Sequence, residues 1–274
     1  TFTVCSTGNP LGSDTVDYLV VAGGGGGAGS HGGAAGAGGY RESVPSPAAW
    51  TASPIANSAG AIPVSAQAYP ITVGSGGPGQ NTTSNPSGKG SNSTALGITS
   101  TGGGSIGKYS APDGVTAGFR DGGSGAGSNA PRIAGLGNTP PVSPAQGFPG
   151  IAGANLTPHY TGGGGGGATA TSPGAGASTT ASIGGAGATS SINNSAVARA
   201  GGGGGGIHNS SPGNAGAGGT GGGGVGGGNS GFLPAMNGTV NTGGGGGGGG
   251  APAPNEAGGS GGSGIVILRY KYQN

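Results

Sequence analysis

Apolar residues gather in short strand-like stretches near the two ends of the chain. Residues 2–5 (FTVC) alternate, and residues 17–22 (DYLVVA) form a β-branched apolar run. Residues 264–272 (GIVILRYKY) give the strongest strand pattern, because a continuous Ile-Val-Ile-Leu run predicts burial on both faces. We expect the first and last strands to pair, so that the termini meet in a small β-sheet. Residues 69–73 (YPITV) are predicted to join that sheet.

No stretch between these strands repeats apolar residues every 3.6 positions, which predicts essentially no α-helix. Uninterrupted glycine dominates instead, in the runs at 23–27, 162–167, 201–206, 221–224 and 243–250. Such runs are typical of flexible linkers. Glycine also adopts the polyproline II conformation, whose outward-pointing backbone groups allow several rods to bond side by side.

Composition favours the rods. The chain has 274 residues, of which 79 are Gly and 20 are Pro, yet only 5% are charged and the formal net charge is +2. Disorder is typical of highly charged chains, which this chain is not. We therefore predict an all-β/irregular fold with roughly eight or more polyglycine II rods. The rods and their loops (23–263) would be capped by the terminal strands (1–22 and 264–274) within one domain, 1–274.

Charge and cysteine content exclude several classes of protein. The eight basic residues are spread from Arg41 to Lys271 without a patch, which argues against nucleic-acid binding. No apolar run approaches the length of a membrane span, and no signal-peptide pattern opens the chain. Cys5 is the only cysteine, so no internal disulfide is possible, and we expect it to be a small core residue.

No catalytic or metal-binding pattern stands out. The two Gly-Lys pairs are followed by Gly90 and Tyr109, so neither is a phosphate-binding Walker loop. His31, His159 and His208 lie too far apart for metal-ligand spacing, and the six acidic residues offer no paired carboxylates. The sequence predicts a protein that is not an enzyme and carries no cofactor or metal.

The order of the flanking motifs resembles a known family. The strand at 17–22 runs into glycine, and further motifs follow at 38–41 (GGYR), 69–79 (YPITVGSGGPG), 91–104 (SNSTALGITSTGGG), 121–127 (DGGSGAG), 198–206 (ARAGGGGGG) and 258–270 (GGSGGSGIVILRY). Together they resemble the glycine-rich domain of bacteriophage tail-fibre and virion proteins. The chain is more distantly similar to the tip adhesins of T-even-type phages, in which loops between polyglycine II rods bind receptors.

The resemblance implies a virion tail-appendage protein, exposed to the extracellular medium, that recognises a host-surface receptor. Its expected partners are a host glycan or outer-membrane protein and other virion proteins, with attachment to a trimeric fibre as one arrangement. The proline-rich insertion at 128–160 departs from the glycine pattern. Residues 174–187 are diluted with Ala and Ser, and we expect loops or outer rods there because an inward-facing Ala would hold rods apart.

Large side chains in the loops are the candidate receptor contacts, because aromatic groups dominate binding hot spots and stack on sugar rings. They are Trp50, Tyr109, Phe119, Arg120, His159, Tyr160, Phe232 and Met236. The alternative is that each side chain seals a loop against the glycine bundle, which provides no apolar cover of its own.

Two other functions stay open. The first is a purely structural fibre or capsid-decoration subunit with no receptor role. The second is ice binding, because bundles of glycine rods can present flat Ala/Ser/Thr faces, and residues 168–171 and 178–182 have a compatible composition.

Overall fold

A computed structural model describes residues 1–7, 14–30, 32–80, 87–106, 118–129, 133–156, 159–174, 180–208, 214–228, 233–251 and 257–271, with the backbone alone for residues 155, 156 and 159. Within this part of the chain, helical backbone occurs only at 118–120. The prediction of essentially no α-helix is confirmed. No helix of the described residues is long and apolar enough to cross a bilayer.

The regular structure consists of short strands. They are β1 (Phe2–Thr3), β2 (Thr15–Val21), β3 (Tyr40–Glu42), β4 (Ile62–Pro63), β5 (Ala68–Tyr69), β6 (Ser93–Ala95), β7 (Ile98–Ser100), β8 (Asn155–Leu156), β9 (His159–Tyr160), β10 (Ala188–Ser190), β11 (Val197–Arg199) and β12 (Ile265–Arg269).

The largest sheet joins the two ends of the chain. β12 pairs antiparallel with β2, from Ile265 opposite Val21 to Arg269 opposite Asp17. β3 pairs with the other side of β2, and β4 pairs with the beginning of β2. The predicted cap of terminal strands is confirmed, although the partner of the last strand is the second strand and not the first.

The first strand lies in a separate ladder, because β1 pairs with β5. Thr72 forms an isolated bridge with Thr94. The prediction that residues 69–73 join the cap sheet was therefore wrong, and Pro70, which lacks an amide N–H, follows β5 directly. Cys5 is exposed, so its predicted place in the core was also wrong; it lies just beyond a strand of only two residues.

Both faces of β12 are covered. Ile265 and Ile267 pack against a cluster completed by the hairpin of β10 and β11. Val266 and Leu268 pack against a cluster on the opposite face, completed by the hairpin of β6 and β7. The predicted burial on two sides is confirmed, and these side chains stay half-buried because β12 lies at the edge of the sheet.

The glycine runs form rods that bond to one another through their backbones. In the rod at 22–28, every third amide donates to the same neighbour, as expected for three residues per turn. The amides of Ala22, Gly25 and Ala28 donate to the carbonyls of Gly39, Gly36 and Gly33 over 3.0–3.2 Å. The intervening amides donate to two further rods, at 88–91 and 259–262.

Each inner rod is surrounded. The rod at 22–28 also accepts amide hydrogen bonds from rods at 77–80, 103–105 and 246–249, which gives it six bonded neighbours. The rod at 200–207 is arranged in the same way, with neighbours at 32–35, 162–168, 182–185, 216–219, 221–227 and 245–251. The predicted polyglycine II bundle is confirmed, and its buried backbone groups are satisfied between rods.

Close approach explains the need for glycine in the rods. A Cβ added to Gly24 would lie 2.0 Å from the carbonyl oxygen of Gly244. An inner rod nevertheless accepts some alanine, because Ala34, Ala35 and Ala37 are fully buried within the bundle. The expectation that an inward-facing Ala holds rods apart therefore does not apply at these three positions.

The proline-rich insertion and the Ala- and Ser-diluted stretch both form hydrogen bonds to the glycine rods. From the insertion at 128–160, the amides of Phe148 and Ile151 donate to the carbonyls of Gly167 and Gly164. The diluted stretch that ends at 187 forms an outer rod, on which Ile183 is 42% exposed. The outer-rod prediction is confirmed over its described part, 180–187.

The bundle has two distinct ends. We call the end that carries β2, β3 and β12 the sheet end, because the rods at 22–28, 32–39 and 257–264 lead directly into or out of those strands. The opposite end is the far end, where the amide of Gly32 donates to Gly249 and that of His208 donates to Tyr160.

Candidate functional site

A buried carboxylate at the sheet end organises the loop that carries Trp50. Glu42 is 1% exposed in β3. Its two oxygens accept hydrogen bonds from the Tyr40 hydroxyl (2.9 Å), the Trp50 indole N–H (3.0 Å) and the Ser53 amide (3.0 Å), and from the Ser190 hydroxyl. Tyr40 and Glu42 are two residues apart in a strand, which places both side chains on the same face.

Burial and the charge of Glu42 shift the pKa values of two neighbouring side chains, Tyr40 and Arg199. Burial, together with the negative charge of Glu42, raises the pKa of Tyr40 well above its usual range, so its hydroxyl remains a donor. Arg199 of β11 is 4% exposed. Desolvation lowers the pKa of Arg199, while Tyr40 and Glu42 act in the opposite direction. Tyr40, Glu42 and Arg199 are therefore three polar side chains that are buried together away from water.

Trp50 is fixed from two sides. Its indole N–H points inward to Glu42, and its ring packs against the buried cluster that includes Leu19. The guanidinium of Arg269 lies 4.9 Å from the centre of the ring, which is a cation–π contact. Nη1 of Arg269 also donates to the carbonyl of Ile192 at 2.9 Å. The Trp50 ring and the Arg269 guanidinium thus form one rigid wall.

This wall borders an open groove of about 550 Å³, within the usual size range of ligand sites. The loop at 45–50 forms one side, and the ends of β2 and β12 form the other. The charged and aromatic side chains along it are Asp17, Trp50, Arg269, Tyr270 and Lys271. We call this feature the Trp50 groove.

A second aromatic pair lies at the far end. The rings of Tyr160 and His208 meet edge to face, with 6.1 Å between their centres. Their backbones are joined as well, because the amide of His208 donates to the carbonyl of Tyr160 at 3.1 Å. The pair ties β9 to the end of the rod at 200–207.

The other sequence candidates are scattered. Phe119 is 46% exposed, and Met236 is 59% exposed on an outer rod. Arg120 is buried and donates from Nη1 to the carbonyl of Ile133 at 2.7 Å. His159 contributes backbone to β9, and its side chain lies outside the described part of the chain, as do Tyr109 and Phe232.

The structure therefore does not gather the predicted contacts into one site. Trp50 lies at the sheet end, and Tyr160 lies at the far end. Sequence reasoning missed the residues around Trp50, namely its contacts Glu42 and Arg269 and the other groove residues Asp17, Tyr270 and Lys271. The alternation of Arg269 and Lys271 with Tyr270 and Tyr272 after the Ile-Val-Ile-Leu run is the one available signal, because such alternation is typical of an exposed strand end.

The model of a protein family described as a glycine-rich domain matches residues 3–271. No curated protein matches the chain.

Proposed function

We propose that this chain, which belongs to the glycine-rich domain family, is a phage virion appendage protein whose inter-rod loops recognise a host-surface glycan or outer-membrane protein. The observation that carries the proposal is the Trp50 groove, in which an inter-rod loop holds an aromatic residue beside an open cleft. The likeness of the flanking motifs to phage tail-fibre domains supplies the virion context.

The scaffold suits recognition. Binding residues commonly lie on loops that a rigid framework positions. Here each inner rod is bonded to its neighbours along its whole length. A loop anchored in such a framework loses little further conformational freedom when it binds, which favours affinity.

Cell binding tests the proposal. Cys5 is exposed, is the only cysteine and does not line the Trp50 groove, so one fluorophore can be attached there. We expect the labelled chain to bind saturably to some strains in a panel of Gram-negative bacteria. Replacing Trp50 with Ala should weaken that binding by at least about tenfold. Leu136→Ala, at an exposed side chain that does not line the groove, is the matched control for loss of a large side chain.

Absence of saturable binding to every strain would favour the structural alternative. One observation supports that second candidate. Val225 and Met236 lie on adjacent outer rods, joined by the hydrogen bond from the Met236 amide to the Val225 carbonyl, and both are exposed. Leu233 and Val240, in the same segment as Met236, are exposed as well. Exposed apolar patches of this kind mark protein–protein contacts, which other virion proteins would supply.

The segments singled out for ice binding are only partly exposed where they are described: Thr171 and Thr180 are exposed, and residues 178 and 179 lie outside the described part of the chain. Ala168, Ala181 and Ser182 are buried, and the hydroxyl of Thr169 bonds to the carbonyls of Ala186 and Gly187. A flat, exposed Ala/Ser/Thr face does not form from these residues. Thermal hysteresis of the purified chain is the direct measurement.

A further inference from the structure

Charged side chains are rare in this chain and are concentrated at the sheet end. The sequence has eight basic and six acidic residues. Seven of these fourteen lie in or beside the strands of the cap sheet and of the hairpin that covers it: Asp14, Asp17, Arg41, Glu42, Arg199, Arg269 and Lys271. Three of the seven, Asp17, Arg269 and Lys271, line the Trp50 groove.

These three groups retain hydrogen-bonding capacity. Asp17 accepts one described hydrogen bond, from the Ser43 hydroxyl at 2.8 Å, and a carboxylate has about four acceptor positions. Arg269 has five N–H donors, and its described hydrogen bond to Ile192 uses one of them. Lys271 is exposed and has no hydrogen-bond partner in the described part of the chain.

Asp17 and Arg269 stand directly opposite each other in the ladder of β2 and β12. Oppositely charged residues at such positions commonly pair. Here the guanidinium is directed instead to the Trp50 ring and the Ile192 carbonyl. The groove therefore presents one hydrogen-bond acceptor, the Asp17 carboxylate, and two donors, the Arg269 guanidinium and the Lys271 ammonium group.

Apolar surface completes the groove. Tyr270 is 61% exposed at its border, and Pro45 and Pro47 lie on the opposite side. An aromatic ring flanked by charged donors and acceptors suits a ligand with an apolar face and hydroxyl groups that both donate and accept. A simple anion fits less well, because Asp17 would repel it.

We propose that the Trp50 groove binds a saccharide. Asp17 accepts from sugar hydroxyls, Arg269 and Lys271 donate to sugar oxygens, and Tyr270 covers the apolar face of the ring. This inference rests on the proposed recognition function, to which it adds a class of ligand at one named site.

The protein carries its own probe, because Trp50 is the only tryptophan. In the full chain labelled with 5-fluorotryptophan, a single ¹⁹F resonance reports on the groove. We would titrate it with methyl glycosides of glucose, galactose, mannose and rhamnose, with N-acetylglucosamine and with sodium glucuronate, each up to tens of millimolar. Sodium phosphate serves as the simple-anion control.

The expected result is a saturable shift with at least one saccharide and none with phosphate. Asp17→Asn and Lys271→Ala should each weaken binding by about tenfold, as expected for a lost charged hydrogen bond. Leu136→Ala, at an exposed side chain outside the groove lining, should leave the affinity unchanged. The inference is overturned if no saccharide moves the resonance, if phosphate alone produces the shift, or if both groove variants bind as tightly as the parent.

This titration and the cell-binding assay can fail separately. Saturable binding to cells without a saccharide shift leaves the recognition proposal intact and points to a protein receptor. A saccharide shift without binding to any strain supports the groove assignment and contradicts the recognition proposal.

Discussion

Gly203 and Gly246 lie so close that a Cβ atom on Gly203 would be 2.1 Å from the carbonyl oxygen of Gly246. Neither residue can move aside easily. The Ala35 carbonyl accepts a hydrogen bond from the Gly203 amide, and the Ala35 amide donates one to the Gly246 carbonyl, both at 3.0 Å. Three rods are therefore linked at one level, and a single methyl group would separate them.

Gly203→Ala should destabilise the fold by more than about 3 kcal/mol, because overpacking here meets backbone and not a flexible side chain. Differential scanning calorimetry of the purified chain measures the effect. Gly118→Ala is the control, since no atom of the described residues lies within 4 Å of the position of its Cβ. Equal melting temperatures for the two variants would contradict close contact between the rods.

Amide hydrogen exchange should be slow along the runs at 162–167, 201–206 and 243–250, because most of these amides donate to another rod. The amide of exposed Gly118 should exchange rapidly in the same sample. Nuclear magnetic resonance with ¹⁵N-glycine labelling resolves both groups. Rapid exchange throughout the runs would identify them as linkers.

The pKa of Tyr40 predicts a loss of stability in alkali. Burial and the charge of Glu42 raise the pKa of Tyr40 in the folded state, whereas an unfolded tyrosine titrates near 10. Below about pH 10 the hydroxyl is protonated in both states. Above it the unfolded state alone releases the proton, so the free energy of unfolding falls as the pH rises.

Urea denaturation between pH 8 and about pH 11 tests this, with Tyr40→Phe as the comparison. The variant should be less stable than the parent at pH 8, because Glu42 loses a donor. The difference between the two proteins should narrow above pH 10. A constant difference across the range would show that Tyr40 does not couple to unfolding.

Gln146 anchors the proline-rich insertion. Its side chain is fully buried, accepts from the Thr101 amide at 2.8 Å and donates to the Pro140 carbonyl at 3.1 Å. Gln146→Leu leaves both backbone groups without this partner and should cost about 2–3 kcal/mol. Gln67→Leu on the surface should change stability by less than about 0.5 kcal/mol in the same urea titration. Similar losses of unfolding free energy in both variants would contradict the anchoring role of Gln146.

The sequence alone determined the two kinds of local structure. The β-branched runs ending at Val21 and beginning at Ile265 favour strands, and their apolar character required them to be covered. The glycine runs could become either linkers or rods. Low charge favoured rods, because a neutral chain with so few bulky residues must satisfy its backbone groups when it becomes compact.

The tertiary structure alone decided which rods are neighbours and where the groove lies. Glycine runs carry no side chains by which one could be matched to another, so nothing in the run at 201–206 specifies its contact with 32–35. The Trp50 groove likewise brings together Asp17, Trp50 and Arg269, which are distant in sequence. Its geometry follows from the register of β2 and β12 and from the buried carboxylate of Glu42. These are long-range contacts, and local patterns of apolar and polar residues do not encode them.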